Sequence, residues 1–196
     1  MGSWSLSIPC APTTGRGLPA SYTDFSNYDR CLTRGVVGSI LPAIYGNGTQ
    51  IVQAPGIVVI RNEMIHEARV IPLDGSPHAG AGVRLWMGDS RGRFEGDTLV
   101  IETTNFTDRT GLGGSGMHSE QLTLVERLRR VDADTLRYEF TVHDPETYVQ
   151  PWTVALDLDS RPGYEIYEDA CHEGNLGLAN MLSAARAEER AAATAR

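Results

Sequence analysis

The sequence predicts a mainly β protein, an antiparallel up-and-down barrel of about eight strands followed by a C-terminal helix. Three observations predict this class. From residue 51 onward, stretches of alternating apolar and polar residues follow one another, and this period is typical of half-buried strands. Short turns rich in Gly, Asp and Pro separate the stretches. A helical pattern is confined to the C-terminal tail, so a parallel sheet with crossover helices is not expected. A β-sandwich is the alternative arrangement of the same elements.

Each element has its own local signal. Residues 1–50 are rich in Gly, Pro, Ser and Thr and are expected to form an irregular segment that wraps the domain. Tight hairpins are expected at 95–97 and 132–134, where Gly, Ala and Asp separate two alternating stretches. After a short extended segment at 51–53, the predicted strands are 57–61, 64–73, 86–94, 98–104, 121–131, 135–143, 152–158 and 164–170.

These elements divide the chain into one domain with a segment at each end. The predicted boundaries are 1–50 for the N-terminal wrapping segment, 51–175 for the β-barrel, and 176–196 for the C-terminal helix and tail. The four glycines within 111–116 predict a mobile loop. A barrel of about eight strands is wide enough to hold a small ligand, so the predicted site lies in its interior.

The charge balance excludes several classes of function. The chain has 25 acidic and 17 basic residues and a formal charge of −8, and every basic residue is Arg. Without lysine, neither a Schiff-base lysine nor a Walker-type phosphate loop is available. A net acidic chain is also a poor partner for nucleic acid or an anionic membrane surface. The expected partner is a small molecule, and a homodimer is possible.

The three cysteines, Cys10, Cys31 and Cys171, are too far apart for a local CxxC motif. A disulfide between Cys31 and Cys171 would connect the N-terminal segment to the end of the last predicted strand. The alternative is three buried thiols in a reducing compartment. The N-terminus lacks the basic and apolar regions of a signal peptide. It therefore indicates a cytoplasmic protein if Met1 is the native start, and a periplasmic or secreted one if an export signal has been removed.

Glu126 is the first candidate for a functional side chain. Along strand 121–131 it shares a row with three leucines, and a carboxylate on an apolar face is either paired or functional because burying it alone is costly. Arg69 or Arg137 is the partner expected if Glu126 is only structural. Tyr138, in the next strand, is expected to turn its hydroxyl inward or to serve simply as core.

Two histidines are candidates for proton transfer, because histidine titrates near neutral pH. Within strand 64–73, His66 shares a row with small apolar residues, so we expect it to point into a cavity or to be a satisfied core residue. His172 follows the last predicted strand, and Glu173 beside it either assists catalysis or interacts with the helix dipole. A divalent metal held by His66, His172 and Glu63 is an alternative use of the same residues.

A further polar group surrounds Trp86 and Asp89, which are expected to contact a substrate or to form a solvated turn. The remaining histidines carry less information. His78 lies in a loop beside a proline, and His118 and His143 lie near turns, where exposure is expected.

Three runs of sequence, 62–66 (NEMIH), 86–106 (WMGDSRGRFEGDTLVIETTNF) and 170–175 (ACHEGN), resemble a group of uncharacterised, usually exported proteins of soil bacteria. The resemblance covers roughly residues 28–190. It implies export, because an export signal and an extra N-terminal region usually precede this part, and it implies no particular reaction. The hairpin pattern also resembles a lipocalin-like (calycin) barrel. Comparable small barrels include cofactor-free decarboxylases, isomerases and cyclases, alongside carriers.

The leading expectation is a lyase or isomerase without a cofactor that acts by histidine and carboxylate acid–base chemistry on a small, partly apolar, oxygenated molecule. A metal-dependent hydrolase or lyase and a lipocalin-like small-molecule binding protein are the alternatives. The expected catalytic residues are His66, His172, Glu126 and Glu173, and the expected substrate-binding residues are Arg69, Tyr138, Trp86 and Asp89.

Overall fold

The computed structural model describes residues 18–43, 45–113 and 116–195. It contains two antiparallel sheets in which every strand pairs with the next along the chain. The three-stranded sheet consists of β1 (Thr49–Ala54), β2 (Ile57–Asn62) and β3 (Ala68–Pro72). The five-stranded sheet consists of β4 (Asp89–Glu95), β5 (Thr98–Thr104), β6 (Thr123–Arg130), β7 (Thr135–His143) and β8 (Trp152–Asp159). A short helix α1 (Cys171–Gly174) and a long helix α2 (Leu176–Thr194) follow.

The mainly β class, the hairpin order and the single long C-terminal helix are confirmed. Closure into one barrel is not observed, because within the described residues β1–β3 and β4–β8 form separate sheets. The two sheets nevertheless share one hydrophobic core. Buried side chains of β2 and β3, such as Ile60 and Ile71, belong to the same cluster as those of β5, β6 and β7, such as Phe140. Among the described helices, none is long and apolar enough to cross a membrane.

The predicted strand 64–73 is wrong in its first part. Met64–His66 forms a 3-10 turn, and the strand begins only at Ala68. The turn contains two consecutive non-glycine residues with left-handed backbone, Ile65 at φ 57° and His66 at φ 44°. Extended pairing cannot continue through this conformation. The side chain of His66 is therefore exposed rather than aligned with an apolar row.

The predicted strand 164–170 is also wrong, because this segment has no regular structure. Its polar groups bind a different part of the chain. The amide of Asp169 donates to the carbonyl of Glu63, and the carboxylate of Asp169 accepts from the amide of Ile65 at 2.9 Å. The strand predicted from Trp86 begins three residues later, at Asp89, because Gly88 adopts a φ of 66° against Thr103.

The N-terminal segment does more than wrap the surface. Val36, Val37 and Ile40 are buried members of the common core. Beside them, Gly38 packs against Gly113, where an added Cβ would lie 2.7 Å from the Cα of Gly113. The described part of the predicted mobile loop is thus packed against the N-terminal segment through glycine backbone, which explains why both stretches are rich in glycine.

A buried aspartate holds the turn that leads into β6. The carboxylate of Asp144 accepts hydrogen bonds from the amide of Ser119 at 2.6 Å and from its hydroxyl at 2.7 Å. Burial acts to raise the pKa of Asp144, but these hydrogen bonds outweigh it and leave the pKa below its ordinary value. The folded state therefore gains stability from ionised Asp144 above a pH of about 4, and loses it as the pH falls through the folded-state pKa.

We therefore expect Asp144→Asn to lower the free energy of unfolding by roughly 1–3 kcal/mol at neutral pH, since the carboxylate that accepts from the amide and hydroxyl of Ser119 and from the amide of Glu146 is replaced. The difference from the wild type should shrink at acidic pH. Urea denaturation of both proteins between pH 3 and pH 7 measures it. A difference that stays constant over this range would mean that the charge of Asp144 contributes nothing.

Candidate functional site

The interior candidates form one closed network. The guanidinium of Arg69 binds both carboxylate oxygens of Glu126, at 2.7 and 2.8 Å, and the hydroxyl of Tyr138 donates to the same carboxylate at 2.8 Å. Glu126 and Tyr138 are completely buried, and Arg69 is 4% exposed. The partner of Glu126 is therefore Arg69, one of the two expected, and the hydroxyl of Tyr138 points inward.

The electrostatics of this network favour a fixed ion pair. Burial acts to lower the pKa of Arg69, but the adjacent Glu126 carboxylate outweighs burial and raises it. Burial and the same carboxylate raise the pKa of Tyr138 well above its ordinary value, so its proton stays on the hydroxyl. Because Arg69 lies on β3, Glu126 on β6 and Tyr138 on β7, the network joins the two sheets. The two terminal nitrogens of Arg69, both carboxylate oxygens and the Tyr138 hydroxyl bind one another inside the core, and the Nε of Arg69 has no hydrogen-bond partner in the described chain.

The site that faces solvent is centred on His66. Its Nδ1 donates to the backbone carbonyl of Asp169 at 3.1 Å, since a carbonyl can only accept. Its Nε2 therefore carries the lone pair in the neutral ring, and it has no hydrogen-bond partner in the described part of the chain. A left-handed conformation costs about 1–2 kcal/mol for a residue with a Cβ. Ile65 and His66 both adopt it, and Asp169 holds the turn in place through the Ile65 amide.

Backbone strain of this kind is concentrated at functional sites. Around the turn, Glu63 accepts from the hydroxyl of Tyr164 through both carboxylate oxygens at 2.8 Å, and from the amide of Gly48 at 3.3 Å. Residues 62–66 thus receive hydrogen bonds both from the chain before β1 and from the chain after β8.

A cleft of about 360 Å³ adjoins this turn. We name it the tyrosine cleft; it is lined by Tyr28, Asp29 and Tyr45 on one side and by residues 169–171, 174, 175 and Met181 on the other. The hydroxyl of Tyr28 donates to that of Tyr45 at 3.0 Å. Burial and this hydrogen bond raise the pKa of Tyr28 to about 12, so its hydroxyl keeps its proton at neutral pH. Two of the sequence runs, 62–66 and 170–175, meet at this place.

A disulfide joins Cys31 to Cys171, which lines the cleft, with the two Cα atoms 5.7 Å apart. The pairing considered from the sequence is therefore present. Asn175 strengthens the same junction, because its side-chain amide donates to the carbonyl of Asp29 at 2.9 Å and contacts the sulfur of Cys31. The remaining cysteine, Cys10, lies outside the described residues.

The other predicted site residues are dispersed. His172 and Glu173 are exposed on α1, where neither side chain has a partner among the described residues. Trp86 is partly exposed in the turn before β4. The expected exposure of His118 is wrong, because this side chain is buried and hydrogen-bonded to the hydroxyl of Thr110 at 2.8 Å. The structure thus brings Arg69, Tyr138 and Glu126 together, and places His66 elsewhere.

Asp89 belongs to a separate polar cluster at the start of β4. Its carboxylate binds His78 at 3.2 Å and Arg91 at 2.7 Å, and the other ring nitrogen of His78 lies 3.3 Å from Glu102. Burial acts to raise the pKa of Asp89, but hydrogen bonds from the Ala79 amide, Arg91 and His78 outweigh it and lower the pKa. The cluster fixes the loop before β4.

Sequence reasoning missed Asp169, Tyr28 and Tyr45. The tyrosines lie in the N-terminal segment, which has no periodicity, and the sequence predicts for Asp169 a strand that does not form. One signal for Asp169 was its position immediately before the 170–175 run. Among the described residues, no group of three or more His, Cys, Asp or Glu side chains is placed to hold a metal ion. The trio of His66, His172 and Glu63 is accordingly not assembled there as a ligand set.

Comparisons with known proteins do not assign the chain to a family. It matches no protein-family model, no curated protein and no solved structure at a significant level.

Proposed function

We propose that the protein is an enzyme that needs no organic cofactor and acts by general acid–base chemistry on a small, partly apolar, oxygenated molecule bound in the tyrosine cleft. The observation that carries the proposal is the exposed Nε2 of His66, on a strained turn beside that cleft. A histidine whose Nδ1–H is held by a carbonyl presents a basic nitrogen in a fixed direction. This is what a general base requires.

The cleft supplies the complementary groups. Tyr28 donates its proton to the hydroxyl of Tyr45, so the Tyr45 hydroxyl is the member of the pair that can donate to a substrate oxygen on which negative charge develops. The thioether of Met181 gives the cleft an apolar component. His172, on the helix α1 that contributes Cys171 and Gly174 to the cleft lining, is the second histidine of the proposal and returns a proton to the product.

These roles fit an elimination or an isomerisation. In either reaction a base removes a proton from carbon, a neighbouring oxygen accumulates negative charge, and an acid completes the step. His66 would remove the proton, and the tyrosine pair would donate to the oxygen. Asp169 is a positioning residue, because it holds the ring of His66 through its carbonyl and the turn through its carboxylate.

The lipocalin-like barrel is part of the same proposal. The meander order of the strands and the core that both sheets share support it, and β3 and β4 contact each other without hydrogen-bonded pairing. We propose that this open barrel is a scaffold and that its ligand binds outside it. Support comes from the interior, where Tyr138, Phe140 and the Arg69–Glu126 pair are buried.

Turnover by His66 variants tests the proposal. A panel of small hydroxylated and carbonyl compounds is screened for elimination and isomerisation with the purified protein. On any substrate found, His66→Gln is expected to lower kcat/KM by roughly 10²–10⁴-fold, the usual contribution of a general base. His143→Gln is the matched control, because His143 is an exposed histidine at the end of β7. Full turnover by His66→Gln and His172→Gln together would refute the assignment.

Asp169→Asn distinguishes positioning from catalysis. It preserves the carbonyl that holds His66 and weakens only the contact with the Ile65 amide. We expect a lower kcat with the shape of the pH–rate profile retained, because the titrating base is still present. Loss of the acidic limb of the profile would identify Asp169 itself as the base, because protonation of the base is what lowers the rate at low pH.

A small-molecule binding protein is the second candidate, and one observation favours it. The cleft lining does not include His66, and its polar groups bind one another, as in the Tyr28–Tyr45 pair. In that case the cleft retains a ligand without converting it. Native mass spectrometry of the untagged protein before and after denaturation tests this, since a co-purified organic molecule together with no turnover supports binding alone. Metal analysis of the same sample tests the metal-dependent alternative.

A further inference from the structure

The tyrosine cleft has one wall from each end of the chain. Tyr28, Asp29 and Tyr45 form one wall, and the other belongs to the segment from Asp169 to Met181. These walls are far apart in sequence, and the Cys31–Cys171 disulfide joins them across a separation of 140 residues. The relative position of the walls therefore depends on how firmly the C-terminal segment is attached to the N-terminal one.

Few non-covalent contacts attach the C-terminal segment to the N-terminal one. Of the 19 residues of α2, Ala185 alone is buried among those described. Two side chains bind the N-terminal segment: Asn175, next to the disulfide, and Arg186, which donates to the carbonyls of Pro19 and Ala20. A single tether that holds weakly interacting surfaces together acts by raising their effective concentration, and its loss removes that effect.

The same segment holds the strained turn. Asp169 lies two residues before Cys171, and it provides the acceptors for the Ile65 amide and for Nδ1 of His66. A turn with two left-handed non-glycine residues persists only while its surroundings fix it. If the segment moves away, the turn loses these acceptors and His66 loses its fixed direction.

We propose that the Cys31–Cys171 disulfide is a redox control on the His66 site, and that its reduction frees the segment from Asp169 to Met181 and disorders both the cleft and the turn. The inference rests on the proposed function of the cleft. The reductant is a dithiol. It breaks the Cys31–Cys171 sulfur–sulfur bond, gives two electrons and two protons to form two thiols, and is itself oxidised to a disulfide.

Hydrogen exchange measured by mass spectrometry tests the control without a substrate. The oxidised full chain is compared with the chain treated with dithiothreitol, both in a Cys10→Ser background that prevents thiol exchange. We expect amide exchange within 63–67 and 164–181 to become at least tenfold faster on reduction. Exchange in β5, β6 and β7 is expected to change less than twofold. The Cys31→Ser/Cys171→Ser variant should behave like the reduced protein without added reductant.

Other outcomes overturn the proposal. Unchanged exchange within 63–67 and 164–181 would mean that non-covalent contacts hold the segment, and equal acceleration in β5, β6 and β7 would mean that the disulfide supports the whole fold. Nitrogen NMR of the His66 ring is a second readout, and we expect the Nδ1–H form in the oxidised protein alone. If His66→Gln retains full turnover while the exchange result holds, the acid–base function fails and the redox control of the cleft stands.

Discussion

Glu126→Gln is expected to lower the free energy of unfolding by about 3–5 kcal/mol, the cost of removing one partner of a buried ion pair. The guanidinium of Arg69 would remain buried without a counter-charge, since both of its hydrogen-bonded nitrogens bind Glu126. Its third nitrogen, Nε, already has no partner in the described chain. The hydroxyl of Tyr138 would lose a charged acceptor as well. Because Arg69 lies on one sheet and Glu126 and Tyr138 lie on the other, the substitution weakens the contact between the two sheets.

Urea denaturation at neutral pH measures this effect. Glu139→Gln is the matched control, because Glu139 lies on the outer face of the neighbouring strand β7, beside arginines, and is only partly buried. We expect the control to change stability by less than about 1 kcal/mol. The triple variant Arg69→Met/Glu126→Leu/Tyr138→Phe should recover most of the loss, since it replaces the ion pair together with the hydroxyl that binds it, and replacing a whole buried ion pair by apolar residues is often neutral. A destabilisation by Glu126→Gln no greater than that of the control would show that water reaches Arg69.

Gly35→Ala is expected to destabilise the protein by roughly 3 kcal/mol or more, through two effects. Gly35 has a φ of 75°, which costs a residue with a Cβ about 1–2 kcal/mol. An added Cβ would also overlap the backbone carbonyl of Gly111, and backbone cannot move aside as a flexible side chain can. Overpacking of this kind typically costs a further 1–3 kcal/mol, as an order of magnitude.

Gly56→Ala separates the two effects. Gly56 has the same φ of 75° in the turn between β1 and β2, but an added Cβ there meets no atom within 4 Å. We therefore expect this control to lose only about 1–2 kcal/mol, from backbone conformation alone. The difference in midpoint urea concentration between the two variants measures the packing of the N-terminal segment on the 111–113 loop. Equal losses of stability in Gly35→Ala and Gly56→Ala would mean that the contact between Gly35 and Gly111 adjusts to an added Cβ at little cost in free energy.

The sequence was informative wherever a strand has one buried face. In β6 the alternation predicted that Glu126 shares a buried row with leucines, and the structure places it there because period-2 geometry fixes the face. The strand prediction failed at Met64–His66, where two apolar residues and a histidine directly precede an alternating stretch. Local pattern does not reveal that Asp169, more than 100 residues away, provides the acceptors for a left-handed turn. The sequence of the turn itself therefore does not show that a distant segment stabilises its left-handed conformation.

The candidate site could be predicted only in part, because local pattern does not show which distant segments surround a residue. His66 was identified by its chemistry, but its surroundings were expected to be an interior cavity. The cleft beside it is formed by Tyr28 and Tyr45 from a segment with no periodicity, and it depends on contacts between the chain ends. Periodicity arguments apply to regular elements and say little about where irregular segments lie. By contrast, the sequence does predict Arg69 as one of two candidate partners of Glu126, because a buried carboxylate requires a partner.

The position of the disulfide also determines how the molecule responds to mechanical force. The eight strands of the described residues, from Thr49 to Asp159, all lie inside the covalent loop that Cys31 and Cys171 close. A pull applied at the two termini is carried by the sulfur–sulfur bond and bypasses both sheets. In an optical-trap experiment the oxidised chain should lengthen by no more than the 30 residues before Cys31 and the 25 after Cys171. An unfoldase that pulls from either end would meet a loop of 141 residues, Cys31 to Cys171 inclusive, that it cannot thread as a single strand until the bond is reduced.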